Sequence, residues 1–183
     1  VRRQRQMCIR DRFLIDKKDP LTVAHPAMIA DLEDFGATID ALSSVGEDVY
    51  SRPEQAAFDA VVHLASIPHP RMIPDSDEFR NNMLSTFNVF EASRRLGIKN
   101  IVWSSSEVPT GVPYDQWNAP YVPVDENYPA RGLSIYALTK VLGEEMARQF
   151  CLNNADMRIT CLRLSNVMAP EEYAQFESWQ DDP

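Results

Sequence analysis

The chain has 183 residues, 18 of them basic and 27 acidic, a formal net charge of −9; this length argues for one domain. With 44% hydrophobic residues it can build a core, which excludes wholesale disorder, and its acidic balance excludes a general nucleic-acid binder, which needs clustered Lys and Arg. No apolar run approaches the roughly 18 residues of a membrane span, and Cys8, Cys151 and Cys161, with no C-x-x-C spacing, offer neither a disulfide framework nor a zinc site.

These exclusions set the expectations of a cytoplasmic setting, no nucleic-acid partner, no membrane partner and no metal. Residues 1–12 hold five basic residues (Arg2, Arg3, Arg5, Arg10, Arg12) and one acid, Asp11. No apolar stretch of secretory-signal length follows them. The run from Arg3 to Arg12 resembles a translated sequencing adapter, so residues 1–12 are read as a non-native basic segment and residues 13–183 as the domain. The apolar run Phe13-Leu14-Ile15 ends in Asp16, and Ala27–Ala30 leads in the same way into Asp31-Leu32. Residues 34–44 are helical by the spacing of Phe35, Ile39 and Leu42. Ala60–Ala65 is a β-branched apolar run that suits a strand buried on both faces.

A long amphipathic helix is predicted from about Asp77 to Leu96, with Phe79, Met83, Phe87 and Phe90 on one stripe and Gly97 ending it. Asp75, Asp77 and Glu78 stand where a helix N-terminus favours acids. The strand Ile101-Val102-Trp103 opens into Ser104-Ser105-Ser106, and a Pro-rich loop follows. A helix from about Leu133 to Cys151 and a strand over Arg158–Leu164 come next, and the end at Trp179–Pro183 reads as a cut. Strands alternating with helices imply an α/β fold, a parallel sheet covered on both faces. Ligands in such sheets sit outside the carboxyl ends of the strands, and Asp16, Asp31, Ser106 and Asn166 all follow strand ends.

Tyr136 and Lys140 lie four apart on one helical face. A cation beside a phenol stabilises the phenolate, which would let tyrosine exchange protons near neutral pH. The spacing by itself is a weak signal; the three hydroxyls at the preceding strand end strengthen it. One of those serines could hold a substrate oxygen, or the three could be a plain polar transition. Asp16 could accept from an adenosine ribose or be an ordinary turn acid, and Lys17-Lys18 beside it leave a 2′-phosphate partner open. His63 in mid-strand reads as a core residue, His25 and His69 as loop residues, and Cys151 and Cys161 as small hydrophobes. Asp125-Glu126 read as a solvated loop and Glu144-Glu145 as an exposed helix face.

Taken together, Asp31-Leu32, Val62–Ala65, Asn82–Thr86, Ser104–Ser106 with Gly111, Tyr136-x-x-x-Lys140 and Arg163–Val167 resemble the extended short-chain dehydrogenases/reductases, the NAD-dependent epimerase/dehydratase group, over about residues 13–173. The resemblance implies a Rossmann-like doubly wound parallel sheet, incomplete at both ends. It implies that Asp16 binds the adenosine ribose, favouring NAD over NADP without excluding the latter. Asp31 and Leu32 would contact adenine, and Ala65, Ser66 and Ile67 would line the cofactor. Asn82 would support the active-site helix or its proton relay, and Ser106 would orient the substrate oxygen. Tyr136 would be the acid/base, and Lys140 would lower its pKa and hold the nicotinamide ribose. Ser165 and Asn166 would lie near nicotinamide and substrate, a sugar or nucleotide-sugar. The implied reaction moves a hydroxyl proton to Tyr136 and a hydride from the same carbon to the cofactor, in an enzyme that forms homodimers. A non-catalytic dinucleotide-sensing or protein-binding relative, or an inert fragment, is the alternative.

The sequence departs from that pattern in two places. Its six glycines (36, 46, 97, 111, 132, 143) are never within three residues of one another, so the glycine-rich phosphate loop is absent. The family's first strand, loop and helix are thus expected to be missing from the record. Ser106 is followed by Glu107 and then Val108 instead of a second acid, which weakens a dehydratase reading and leaves epimerase, reductase or dehydrogenase.

Overall fold

The computed structural model describes residues 13–18, 27–43, 58–68, 72–111, 120–165 and 167–179. The basic segment 1–12 and Asn166 lie outside them. The elements in chain order are β1 (Leu14–Asp16), β2 (Ala27–Ile29), α1 (Phe35–Ser43), β3 (Ala60–His63), α2 (Asp75–Leu96), β4 (Asn100–Ser106), α3 (Ile135–Asn153) and β5 (Arg158–Leu164). Short 3-10 segments cover Val108–Thr110 and Pro170–Trp179. The end at Trp179–Pro183 lies, beyond Trp179, outside the described residues.

Every strand pairing is parallel. β1 pairs with β2, placing Ile15 opposite Met28, and β3, β4 and β5 form a second sheet in that order, with Trp103 between His63 and Cys161. Parallel neighbours need a crossover, which α2 supplies between β3 and β4 and α3 between β4 and β5. The two sheets face each other across a cavity of about 470 Å³ lined by Leu14, Ile15 and Asp16 on one side and Ala60–Ser66 on the other. The expected parallel α/β sheet is therefore present in two parts.

Cover on both faces is not. Val61, Ile101, Trp103 and Ile159 pack with Val89 and Phe90 of α2 and Ala147 of α3. Leu42 of α1 joins Ala92 and Ile98 on the same side, against Ile15 and Val61. The alternate residues point the other way: Val62 is 63% exposed, and Leu162 and Leu164 are exposed as well. The apolar runs are those of strands built for two covered faces, but the described helices all lie on one.

The stripe of α2 is also turned from the expected one. Phe90 is fully buried, whereas Phe79 and Phe87 are exposed, and the buried face instead carries Glu78, Asn82, Ser85, Thr86 and Val89. These polar groups find partners. The Thr86 hydroxyl donates to the Asn82 carbonyl (2.7 Å) and accepts from Trp103 Nε1 (3.2 Å), and Asn88 Nδ2 donates to the carbonyls of Leu32 (2.8 Å) and Glu33 (3.0 Å). A hydrogen-bonded polar residue can be buried at little cost, so hydrophobicity alone misassigns the face. The helix ends at Gly97, whose left-handed φ of 76° lets the Gly97 and Ile98 amides reach the carbonyls of Arg94 and Ser93. α3 starts at Ser134, whose hydroxyl accepts from the Ala137 amide (3.1 Å). Gly143 brings α3 onto β4: a Cβ there would lie 2.4 Å from the Trp103 ring.

Candidate active site

The carboxyl ends of β3 and β4 and the first turns of α2 and α3 meet at one place. Ser106 is the last residue of β4, buried; its hydroxyl accepts from the Val108 amide (3.2 Å) and lies near enough to the Tyr136 phenol to lower its pKa. Thus the three serines belong to the strand itself, and parallel pairing with β5 through Leu164 holds the last of them in place. Tyr136 stands in the first turn of α3 and is buried. Its burial raises the phenol above its ordinary pKa; the Ser106 contact opposes this, and the charge of Glu78 reinforces it. Glu78 is 0% exposed, so it is a member of this buried group as well as a residue of the first turn of α2.

Lys140, one turn beyond Tyr136, is only 2% exposed. Its ammonium donates to the Ser104 carbonyl (2.8 Å) and the Ser66 hydroxyl (3.2 Å), and burial lowers its pKa to about 8. It sits over the Tyr136 ring, 5.3 Å from the centroid, and over Trp103 at 5.0 Å. This differs from the arrangement expected from the spacing, in which the cation depresses the phenol pKa: the phenol is raised, and Lys140 is not among the causes of its shift.

Asn82 clamps the loop after β3 by both ends of its amide: the Ile67 amide donates to Oδ1 (2.8 Å) and Nδ2 donates to the Ile67 carbonyl (3.2 Å). That holds Ser66 beside Lys140. Asp16, Leu32, Ala65 and Ser66 line the cavity between the two sheets. Asp16 ends β1, exposed, and one of its carboxylate oxygens accepts from the Lys18 amide (2.9 Å). Asp31, Ile67, Tyr136, Lys140 and Ser165 do not line that cavity; Ser165 lies exposed just past β5. Asp31 is paired with Lys17 (2.7 Å), which holds its carboxyl below the usual range, and Lys17 also reaches Glu33 (3.3 Å). Lys17, open as a 2′-phosphate ligand in the sequence, is thus engaged by two acids. His63 is buried, as expected of a core residue. Asp125 and Glu126 are exposed; Cys161 is half-buried, and burial pushes its thiol up to about 12, which makes it inert. Among the described residues no helix is long and apolar enough to cross a membrane, and no group of three His, Cys, Asp or Glu could hold a metal.

The family model described as "NAD dependent epimerase/dehydratase family" matches residues 30–179. The chain belongs to this family. Among curated relatives it is 29% identical over 133 residues to a bifunctional UDP-glucose 4-epimerase and UDP-xylose 4-epimerase of Pisum sativum, a match covering 69% of the chain and 35% of the relative. It is 32% identical over 116 residues to the UDP-glucose 4-epimerase of Mus musculus, covering 60% of the chain and 31% of the relative. Among solved structures, a mutated uronate dehydrogenase superposes with a TM-score of 0.66 at 26% identity, over 88% of this chain and 52% of that one. An NAD-bound short-chain dehydrogenase/reductase superfamily protein from Agrobacterium tumefaciens gives 0.67 at 26%, over 88% and 43%. The chain thus spans about a third of the length of these curated relatives. Family membership and these neighbours fix the fold as Rossmann-like.

Several residues at the site were not singled out from the sequence as members of it. Glu78 was read as a helix-end acid and Glu144 as an exposed one. Glu144 is instead half-buried, accepting from Ser105 and from both forks of Arg163. Its spacing from Lys140 equals that between Lys140 and Tyr136, which places all three near one helix face, and this was the available signal.

Proposed function

We propose that this chain is the cofactor-binding and proton-transfer part of an NAD-dependent oxidoreductase or epimerase acting on a hydroxyl of a sugar or nucleotide-sugar. The observation that carries the reading is the meeting of Ser106, at the carboxyl end of β4, with Tyr136 of the first turn of α3, beside the buried Lys140. The residues suit the two ends of NAD. The Asp16 carboxylate offers acceptors to a ribose diol, and Lys140 and Ser66 offer donors at the other end. The pairing of Lys17 with Asp31 and Glu33 favours NAD over NADP, since a 2′-phosphate would meet carboxylates and an engaged lysine. No pair of glycines in the chain forms a cradle for the pyrophosphate. The reading therefore puts one further parallel strand, with its glycine loop, between β1 and β3, where the two strands line a common cavity.

When bound, NAD supplies a hydride acceptor and donor; this chain's residues manage the proton. Ser106 orients the substrate oxygen, and its contact favours the phenolate of Tyr136. Burial and Glu78 keep the phenol protonated at neutral pH, which suits it to protonate an alkoxide. In the opposite direction the Ser106 contact favours the phenolate that removes the proton. One acid after Ser106, with Val108 following, supports epimerisation or dehydrogenation over elimination of water. The named activities of the epimerase relatives support a UDP-sugar as the substrate class.

The test is Tyr136→Phe in a chain extended to the length of its relatives, assayed with NAD and UDP-hexoses. Turnover is expected to fall by roughly 10²–10⁴-fold while NAD affinity is retained. Equal turnover without the hydroxyl would overturn the reading.

A further inference from the structure

The Glu144 carboxylate is outside the residues assigned above to proton transfer, yet it ties together the elements that carry them. It lies on α3 one turn beyond Lys140 and two beyond Tyr136. Its Oε1 accepts from the Ser105 hydroxyl (2.5 Å) and from Arg163 Nε (2.9 Å), and its Oε2 from Arg163 Nη2 (2.8 Å). Ser105 is the residue before Ser106 on β4; Arg163 is on β5, two residues before Ser165. Both members of the ion pair are about one-fifth exposed. A planar guanidinium against a carboxylate is the most geometrically demanding of side-chain pairs, so it fixes orientation as well as contact. The remaining Arg163 nitrogen, Nη1, is buried with no hydrogen-bond partner among the described residues, so Glu144 is the carboxylate that hydrogen-bonds this cation, with the charge of Glu126 acting on it as well.

α3 touches β4 at two successive positions that do different work. Gly143 against Trp103 sets how closely the helix approaches the strand. Glu144 against Ser105 resists sliding of the helix along it. Sliding is the motion that would separate Tyr136, on the helix, from Ser106, on the strand. We propose that Glu144 is a positioning residue: through Ser105 and Arg163, its carboxylate holds α3 in the register that brings the Tyr136 phenol onto the Ser106 hydroxyl. The inference rests on the reading of Ser106 and Tyr136 as the proton-transfer pair, but the contact it concerns can be measured without turnover.

The experiment uses the 183-residue chain carrying tyrosine labelled with ¹³C at Cζ, whose resonance at neutral pH reports hydrogen bonding at the phenol. Tyr136→Phe identifies the signal, and Ser106→Ala sets the position it takes when the contact is lost. Glu144→Gln and Ser105→Ala are expected to move the signal at least half of the way to that position. Glu144→Asp, which keeps the charge, should move it less. In the extended chain, Glu144→Gln is expected to lower kcat roughly tenfold at a nearly constant KM. A Tyr136 resonance unmoved in Ser105→Ala and Glu144→Gln overturns the proposal, even where thermal stability falls, because Glu144 would then serve stability alone. If Glu144→Gln does not fold, Ser105→Ala, which preserves the ion pair, decides the matter by the same criterion. Should Tyr136→Phe retain turnover, the proton-transfer reading fails while the resonance still decides whether Glu144 controls the Ser106–Tyr136 contact.

Discussion

Trp103 organises the site from below. Its ring meets Gly143 of α3, stacks edge-on with Phe90 (6.4 Å between centroids), lies under the Lys140 ammonium and donates to Thr86. Gly143→Ala forces a methyl into that ring and is expected to cost roughly 1–3 kcal/mol, read as a lower urea midpoint with an unchanged slope. His63, beside Trp103 on β3, is 3% exposed, and burial together with the charge of Lys140 lowers its pKa from 6.5 to about 3. The sign follows from which state takes the proton. Above pH 6.5 neither state binds it; between 6.5 and about 3 the unfolded chain does and the folded one does not. Stability is thus lost as pH falls, by up to about 1.4 kcal/mol per pH unit in that window. His63→Leu should flatten the acid limb of a stability profile measured by urea unfolding at pH 7, 6 and 5. An acid limb as steep as that of the wild type would show that His63 is not the responsible group.

At the level of elements, α2 is the brace that connects the loops after β2 and β3, the two ends of the proposed cofactor site. Asn88 holds the loop after β2 through the Leu32 and Glu33 carbonyls, and Asn82 holds the loop after β3 through Ile67. A polar side chain on the buried side of a helix is costly unless it is bonded, and Asn82 and Asn88 are bonded to loop backbone that has no sheet partner. Removing one clamp should release one loop and leave the helix. Asn82→Leu is expected to speed hydrogen exchange at the Ile67 amide at least tenfold while exchange in β4 stays at the wild-type rate. Equal acceleration at both places would mean that α2 as a whole had loosened. The same inversion of faces leaves Phe79 and Phe87 on the outer side of α2, with Phe87 against Phe150 of α3.

For the whole molecule, two open features set the expectations. The first is the gap between β1 and β3 together with the absence of any glycine cradle in the chain. The 183-residue chain is therefore expected to bind NAD weakly or not at all, and low-micromolar binding in a calorimetric titration would refute this. The second is the exposed apolar surface of α2 and α3, which carries Phe79, Leu84, Phe87 (43% exposed) and Leu142. Exposed aromatic and aliphatic residues at this density favour association, in line with the homodimer that the family resemblance implies. Sedimentation should find a dimer that Phe87→Glu shifts to monomer; the same sedimentation coefficient for both proteins would count against this face.

Much of this protein was legible in its sequence because the signals are local. The β-branched run at Ala60–His63, the acids opening α2, Gly97 closing it and the strand Arg158–Leu164 each depend on a few neighbouring residues, and each lies in the structure within about two residues of its expected place. The grouping of Ser106 with Tyr136, 30 residues apart, was suggested by the three hydroxyls at the strand end and narrowed to Ser106 by the family pattern. Tertiary structure alone decided the rest. It turned the polar face of α2 inward, because partners on β4 and the two loops satisfy it, and drew Glu144 from an apparent surface position into a bond with Ser105 and Arg163. It placed Lys140 over the Tyr136 ring with its ammonium on the Ser104 carbonyl and the Ser66 hydroxyl, and put the described helices on one side of the sheet. Periodicity records how often a chain meets a core; which groups wait there to be bonded depends on elements distant in sequence.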